Sequence, residues 1–178
     1  LSLYESHSGE RGLFNRQAAD KQAQRTGRRK PYPAGFLGNP CLEVVLRSAG
    51  SCNLTEIVAR PEDSSLDLHK KARIASILGT FQATLTNFVY LRKQWKQNCE
   101  EERLLGVSLT GIADNHLLND PEDIRLPDLL RSLKDTVIEE NKKLSLDLGI
   151  NPSVSATVVK PSGTVSQLVN CSSGIHPA

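Results

Sequence analysis

The sequence predicts an α/β fold, and three observations carry that expectation. Short apolar-rich runs at 54–59, 104–112 and 155–159 have the length and branching of strands. Between them lie two longer segments, 66–102 and 128–148, whose apolar residues recur at threes and fours, as on a half-buried helix. Strand, helix, strand, helix, strand is the rhythm of a parallel sheet covered by helices, because parallel neighbours need a crossover long enough to hold one. With 178 residues, 38% hydrophobic and 24% charged, the chain is long enough for one core.

The chain begins with a turn at Gly9-Glu10-Arg11-Gly12, and 13–24 then predict a helix ending near Gly27. The basic run Arg25 to Lys30 reads as a solvated loop. Pro31, Pro33, Gly35 and Gly38 rule out regular structure as far as Cys41. Pro40 fixes its own φ and biases Asn39 toward extended conformations, so 39–43 are expected to run extended, with Asn39, Cys41 and Glu43 on one face. A thiol between an amide and a carboxylate suits chemistry on neighbouring hydroxyls: the carboxylate accepts a proton and the amide orients a second hydroxyl. The alternative is that Cys41, like most cysteines, is a small buried hydrophobe.

Beyond Cys52, residues 54–59 predict a strand closed by Arg60-Pro61. Asp63, Ser64 and Ser65 offer N-caps for a long helix over 66–102. Its expected buried stripe is Leu68, Ala72, Ala75, Leu78, Leu85, Phe88, Val89, Leu91 and Trp95, with a bend or break at Gly79-Thr80. The aromatics Phe81, Phe88, Tyr90 and Trp95 read as core packing rather than a base-stacking surface. After the strand at 104–112, residues 114–123 form a polar connector in which Asp114 and His116 read as a solvated turn. Pro127 sits in the first turn of a helix over 128–148, ended by Gly149, and 155–159 give the third strand.

Lys160-Pro161-Ser162-Gly163-Thr164-Val165-Ser166-Gln167 follows that strand. Its glycine lets backbone N–H groups approach an anion, and its hydroxyls can donate. It lacks the Gly-Lys-Thr of a Walker loop, and by itself it reads sooner as an ordinary loop than as an anion site. Cysteines at 41, 52, 99 and 171 form no Cys-x-x-Cys pair and have no histidine at metal-ligand spacing, which argues against a structural metal site. Their spacing, with no signal peptide and no long apolar run, predicts free thiols or a redox pair in a reducing, cytoplasmic setting away from membranes. A net charge of +2 gives no reason to expect nucleic-acid binding. A chain that starts at Leu1 and contains no Met reads as an internal piece of a longer one.

Asn39-Pro40-Cys41-Leu42-Glu43 followed by Cys52-Asn53-Leu54-Thr55-Glu56 resembles the active-site finger loop of ribonucleotide reductases, with Pro40 closer to the adenosylcobalamin-dependent class II. The segments 9–16, 106–114, 160–167 and 172–177 also resemble that family, in the same order. The resemblance implies that 1–178 are a fragment of a single catalytic domain, a ten-stranded α/β barrel with the finger loop at about 34–52 and a phosphate loop at about 160–167. It implies radical reduction of ribonucleotides, as triphosphates, to deoxyribonucleotides. Cys41 becomes the thiyl radical, Glu43 takes the 3′-hydroxyl proton and Asn39 holds the ribose hydroxyls. Cys52 is half of the reducing dithiol, its partner lying upstream, and Ser162, Gly163, Thr164 and Ser166 contact phosphate. Partners implied are the rest of the reductase chain and a thioredoxin-type or dithiol reductant; no residue here is one that must ligate the cobalamin. Three alternatives remain: a class I large subunit served by a separate metallosubunit, a cysteine hydrolase using one of His7, His69, His116 and His176, and a split-gene piece without activity of its own.

Overall fold

The structure, a computed structural model, describes residues 2–9 and 12–177; Glu10 and Arg11 of the expected first turn lie outside the described residues. Helix α1 spans Ser2–Glu5 and α2 spans Arg16–Gln24. The latter starts one turn after the sequence suggests, where the Asn15 side chain accepts the Ala18 N–H at 3.0 Å.

Strands β1, Leu37–Gly38, and β2, Val45–Leu46, form an antiparallel hairpin with Leu37 opposite Leu46 and Gly38 opposite Val45. This corrects two expectations: regular structure does occur before Cys41, and 39–43 are a turn instead of an extended run. The Leu42 N–H donates to Asn39 O at 2.9 Å, and Leu42 has φ +62°. Pro40 therefore uses its fixed φ as the first central residue of a β-turn, a role open to proline as readily as the extended one. A left-handed residue after such a turn is a common way to close a hairpin. A Cβ at Gly38 would stand 2.7 Å from Leu42 Cδ2, so the glycine lets the Leu42 side chain fold back over the hairpin.

The larger layer is built on β3, Leu54–Val58, and β4, Gly106–Thr110, which pair in parallel from Leu54↔Gly106 to Val58↔Thr110. Ser64 and Asp67 form a capping box that starts α3, Ser65–Gln82. Of the bend or break expected within the helical stretch 66–102, the structure shows the break: α3 stops at Gln82 and α4 runs Lys93–Glu102. The break falls after Gly79-Thr80. Gly79 is needed inside the helix, where a Cβ would stand 2.0 Å from Leu105 Cδ1, so its absence lets α3 lie close on the sheet. Beyond it, Thr84 Oγ1 donates to Phe81 O and Thr86 Oγ1 to Glu100, and such side-chain bonds compete with helix continuation.

The core follows this division. Leu68, Ala72 and Ala75 of α3 meet Ile57, Val107 and, from α5 (Leu126–Asp147), Leu133 and Val137. The expected stripe fails at Leu78 within α3 and past the break at Leu85, Val89 and Leu91, all exposed; of the aromatics, Phe81 and, at 98%, Tyr90 are exposed, while Phe88 and Trp95 are half-buried. A polar seam continues the buried face of α5, where Asn141 Nδ2 donates to Thr80 Oγ1 at 2.8 Å and Ser76 Oγ donates to Val137 O at 2.8 Å.

The strand expected at 155–159 is reduced to one bridge, Val107↔Thr157, beside β4. The N–H groups of Leu105 and Val107 bond consecutive carbonyls, Ser155 and Ala156, where a regular parallel ladder would skip one. A 3₁₀ turn, Ile112–Asp114, leads toward α5, and the short helix α6, Thr164–Leu168, follows the Lys160 loop.

Candidate active site

Two short strands cannot hold a hairpin in place by themselves, and charge does it here. Arg29 donates through Nε and Nη2 to both oxygens of Glu102 at 2.6 and 2.8 Å, and through Nη1 to Val45 O at 2.7 Å. Arg47 pairs with Glu102 at 3.1 Å and with Glu101 at 2.8 Å. The Arg29 and Glu102 side chains are only 3% and 2% exposed, so one residue of the run read as a solvated loop is in fact buried. Its guanidinium also lies 4.2 Å from the Phe36 ring centre. Asn98 adds bonds to Ser48 O and Ala49 O, so α4 clamps the base of the hairpin.

At the tip, Asn39 Nδ2 donates to Glu43 Oε1 at 2.6 Å. The Lys160 ammonium lies 3.0 Å from the same oxygen and 3.4 Å from Cys41 Sγ. Both partners thus fall on Oε1, leaving Glu43 Oε2 buried and without a hydrogen bond among the described residues, on a side chain 6% exposed. Burial acts to raise the Glu43 pKa, but hydrogen bonds from Lys160, its own backbone and Asn39, with the Lys160 charge, outweigh it, so the carboxyl titrates below its ordinary range. Cys41 and Cys52 are both exposed, free thiols. Partial desolvation pushes the Cys52 thiol up, the Glu43 carboxylate adds to this, and Lys160 opposes it. Cys41, Glu43, Asn39, Cys52 and Lys160 therefore form one cluster, as the sequence suggested for all but the lysine. Glu43, Arg28, Asn53, Val158 and Ile175 are among the residues lining an adjoining cavity of about 600 Å³.

The loop after Lys160 presents its residues unequally. Ser162 and Ser166 are buried and bond each other: the Ser166 N–H donates to Ser162 Oγ at 3.1 Å, and Ser166 Oγ donates to Ser162 O at 2.7 Å. Gly163 and Thr164 face solvent at the start of α6. The Lys160 N–H donates to Ser108 Oγ at 3.0 Å, and Gly174, at φ +56°, stands where a Cβ would come within 2.8 Å of Lys160 O. Asp114 is more than a solvated turn: its carboxylate accepts the Ser172 N–H at 2.7 Å and pins the segment behind the loop to the end of β4. His116 is exposed, its Nδ1 3.0 Å from Pro61 O.

Sequence reasoning left the direction of the Lys160 side chain open and missed the Arg29–Glu102 pair. The partners lie 119 and 73 residues apart, and no local pattern announces them.

No protein-family model matches the chain. It is 32% identical to the adenosylcobalamin-dependent ribonucleoside-triphosphate reductase of Lactobacillus acidophilus, over 78% of this chain and 21% of that protein. With the same enzyme of Lactobacillus helveticus the identity is 30%, over 96% of this chain and 26% of the relative. A probable adenosylcobalamin-dependent ribonucleoside-triphosphate reductase of Dictyostelium discoideum is 34% identical over 78% of this chain and 18% of its own. Among solved structures, a B12-dependent (class II) ribonucleotide reductase superposes with a TM-score of 0.66 at 28% identity, over 79% of this chain and 23% of that one. The chain thus spans about a quarter or less of the length of these relatives.

Proposed function

Taking as premise that the chain is homologous to one stretch of the adenosylcobalamin-dependent ribonucleoside-triphosphate reductases, we propose that the intact protein reduces ribonucleoside triphosphates to 2′-deoxyribonucleotides. In this reading residues 34–52 are the finger loop and 160–167 the phosphate loop of a ten-stranded α/β barrel completed by the rest of the parent chain. The carrying observation is the Glu43 carboxylate, with one oxygen held by Asn39 and by a Lys160 ammonium that also reaches the Cys41 thiol, and the other buried and without a hydrogen bond among the described residues.

An exposed Cys41 at the hairpin tip fits an encounter with a cofactor held outside this chain. Adenosylcobalamin, when bound, supplies the hydrogen-atom acceptor through homolysis of its cobalt–carbon bond. Cys41 gives up its S–H hydrogen atom and the resulting thiyl takes the hydrogen atom from C3′ of the ribose. Glu43 Oε2 accepts the 3′-hydroxyl proton while Asn39 orients the sugar, and the 2′-hydroxyl departs as water. Two electrons come from Cys52 and a cysteine outside this chain, which end as a disulfide: one thiol proton leaves with the 2′-hydroxyl as water, the other thiol hydrogen goes to C2′, and Glu43 returns its proton to the 3′-oxygen. Cys41 then returns a hydrogen atom to C3′ and is again a thiyl. A thioredoxin-type or dithiol reductant reopens the disulfide. Gly163 and Thr164 face the phosphate, and Ser162 and Ser166 hold the loop's shape from within. Four free thiols support a reducing, cytoplasmic setting. No helix among the described residues is long and apolar enough to cross a membrane.

The test is anaerobic incubation of the full-length parent with adenosylcobalamin, a dithiol and each ribonucleotide. Deoxyribonucleotide that depends on the cobalamin is the expected result. Product only after a radical-generating metallosubunit is added would move the protein to class I, and absence of product in both would remove the activity.

A further inference from the structure

Lys160 joins the two halves of this site, and no step of the reduction described above uses it. Its main chain is fixed on the loop side: the N–H donates to Ser108 Oγ in β4, and the carbonyl lies under the close approach of Gly174. The side chain then crosses to the hairpin tip, where the ammonium reaches Glu43 Oε1 at 3.0 Å and Cys41 Sγ at 3.4 Å. The bond count at the carboxylate is lopsided, with the Asn39 amide and the Lys160 ammonium both on Oε1 and nothing on the buried Oε2. A carboxylate held through one oxygen by two donors cannot rotate freely, so its unused oxygen keeps one direction.

Resting on the function proposed above, we propose that Lys160 is a positioning residue: it ties Glu43 through Oε1, keeps Oε2 aimed and free for the substrate hydroxyl, and so links the ribose end of the site to the phosphate loop that it opens. The charged and titratable groups acting on Glu43 and its neighbours at the tip are Lys160, Cys41 and Cys52, with Arg28 lining the same cavity. Of these, only Lys160 is placed to donate to the carboxylate. Its removal leaves only the Asn39 and backbone hydrogen bonds to oppose burial at Glu43, so the balance moves toward the protonated form, which cannot accept a proton from the sugar. A carboxyl depressed in the folded protein works above its own pKa and stops working as the pH falls through it. Without the ammonium that loss moves to higher pH.

The experiment compares wild type, Lys160→Met and Lys160→Arg in the full-length parent. The protonation of Glu43 is followed without substrate or cofactor by difference infrared spectroscopy, the band being assigned with Glu43→Gln. In Lys160→Met the midpoint is expected to rise by about one pH unit or more, a tenfold change in proton affinity per unit. Lys160→Arg, which keeps the charge, is expected to stay nearer wild type. In the reduction assay, Lys160→Met should lose kcat roughly tenfold or more at the acid end and regain it toward alkaline pH, with KM moving less. An unchanged midpoint, or a loss of kcat equal at every pH, would overturn the proposal even in an active reductase. A shifted midpoint in a parent that reduces no ribonucleotide would keep the Lys160–Glu43 tie and remove the proposed function.

Discussion

The hairpin of β1 and β2 and the layer of β3, α3, β4 and α5 are held by opposite means. The layer relies on apolar contact: Leu68, Ala72, Leu133 and Val137 close over Ile57 and Val107. Non-directional burial, about 25 cal/mol per Å² of apolar surface, needs only the right residues on the right face. The hairpin has two residue pairs of ladder, an exposed tip, and a base fastened by Arg29, Arg47 and Glu102. Buried charge pairs add little net stability, yet they fix one geometry, and removing one partner is costly because the other is left unpaired and dry. The difference separates a scaffold that tolerates change in kind from a site mount that tolerates little change in position.

The comparison breaks first at the tip. Cys41→Ser in the full-length parent is expected to abolish deoxyribonucleotide formation with nucleotide binding intact, and Glu43→Gln to lower kcat about 10²–10⁴-fold; both are read from single-turnover product and equilibrium binding. Normal turnover by either variant would leave the hairpin tip without a chemical role. Next comes its base: Glu102→Gln takes the counter-ion from the buried Arg29 guanidinium and leaves Arg47 with Glu101 alone, which should cost about 3–5 kcal/mol, felt locally. Hydrogen exchange would then speed up at 37–46 while 106–110 stay protected; equal loss in both would mean that the two regions unfold as one. Leu68→Ala should cost about 2–5 kcal/mol and do the reverse, lowering the urea midpoint of the whole layer. Smallest is Ser64→Ala at the α3 capping box, about 1 kcal/mol, measured as a small shift in the same midpoint.

The same division explains what could be read in advance. The start of α3 at Ser64, β3, β4 and α5 all follow from capping residues and periodicity, and each lies within a residue or two of its expected bounds. Periodicity misled where it outran the helix: Leu85, Val89 and Tyr90 keep helical spacing after the chain has left the helix, so their pattern points at no common face. The local meaning of Pro40 was ambiguous, since one φ serves both an extended segment and a turn. Cys41, Asn39, Glu43 and Cys52 were legible because they sit close together in the chain. The ammonium that completes the cluster was not, because its place is set by how Gly174 and Ser108 seat a distant loop.

The 119 residues between Cys41 and Lys160 also have a meaning in time. A chain growing from its N-terminus at about 5–20 residues per second brings Lys160 into being roughly 6–24 s after Cys41. By then every residue of β3, α3, α4, β4 and α5 has been made, and contacts of short sequence separation tend to form early. The scaffold can therefore stand before the site exists, while the Cys41 thiol waits at an uncovered hairpin tip with no cation beside it.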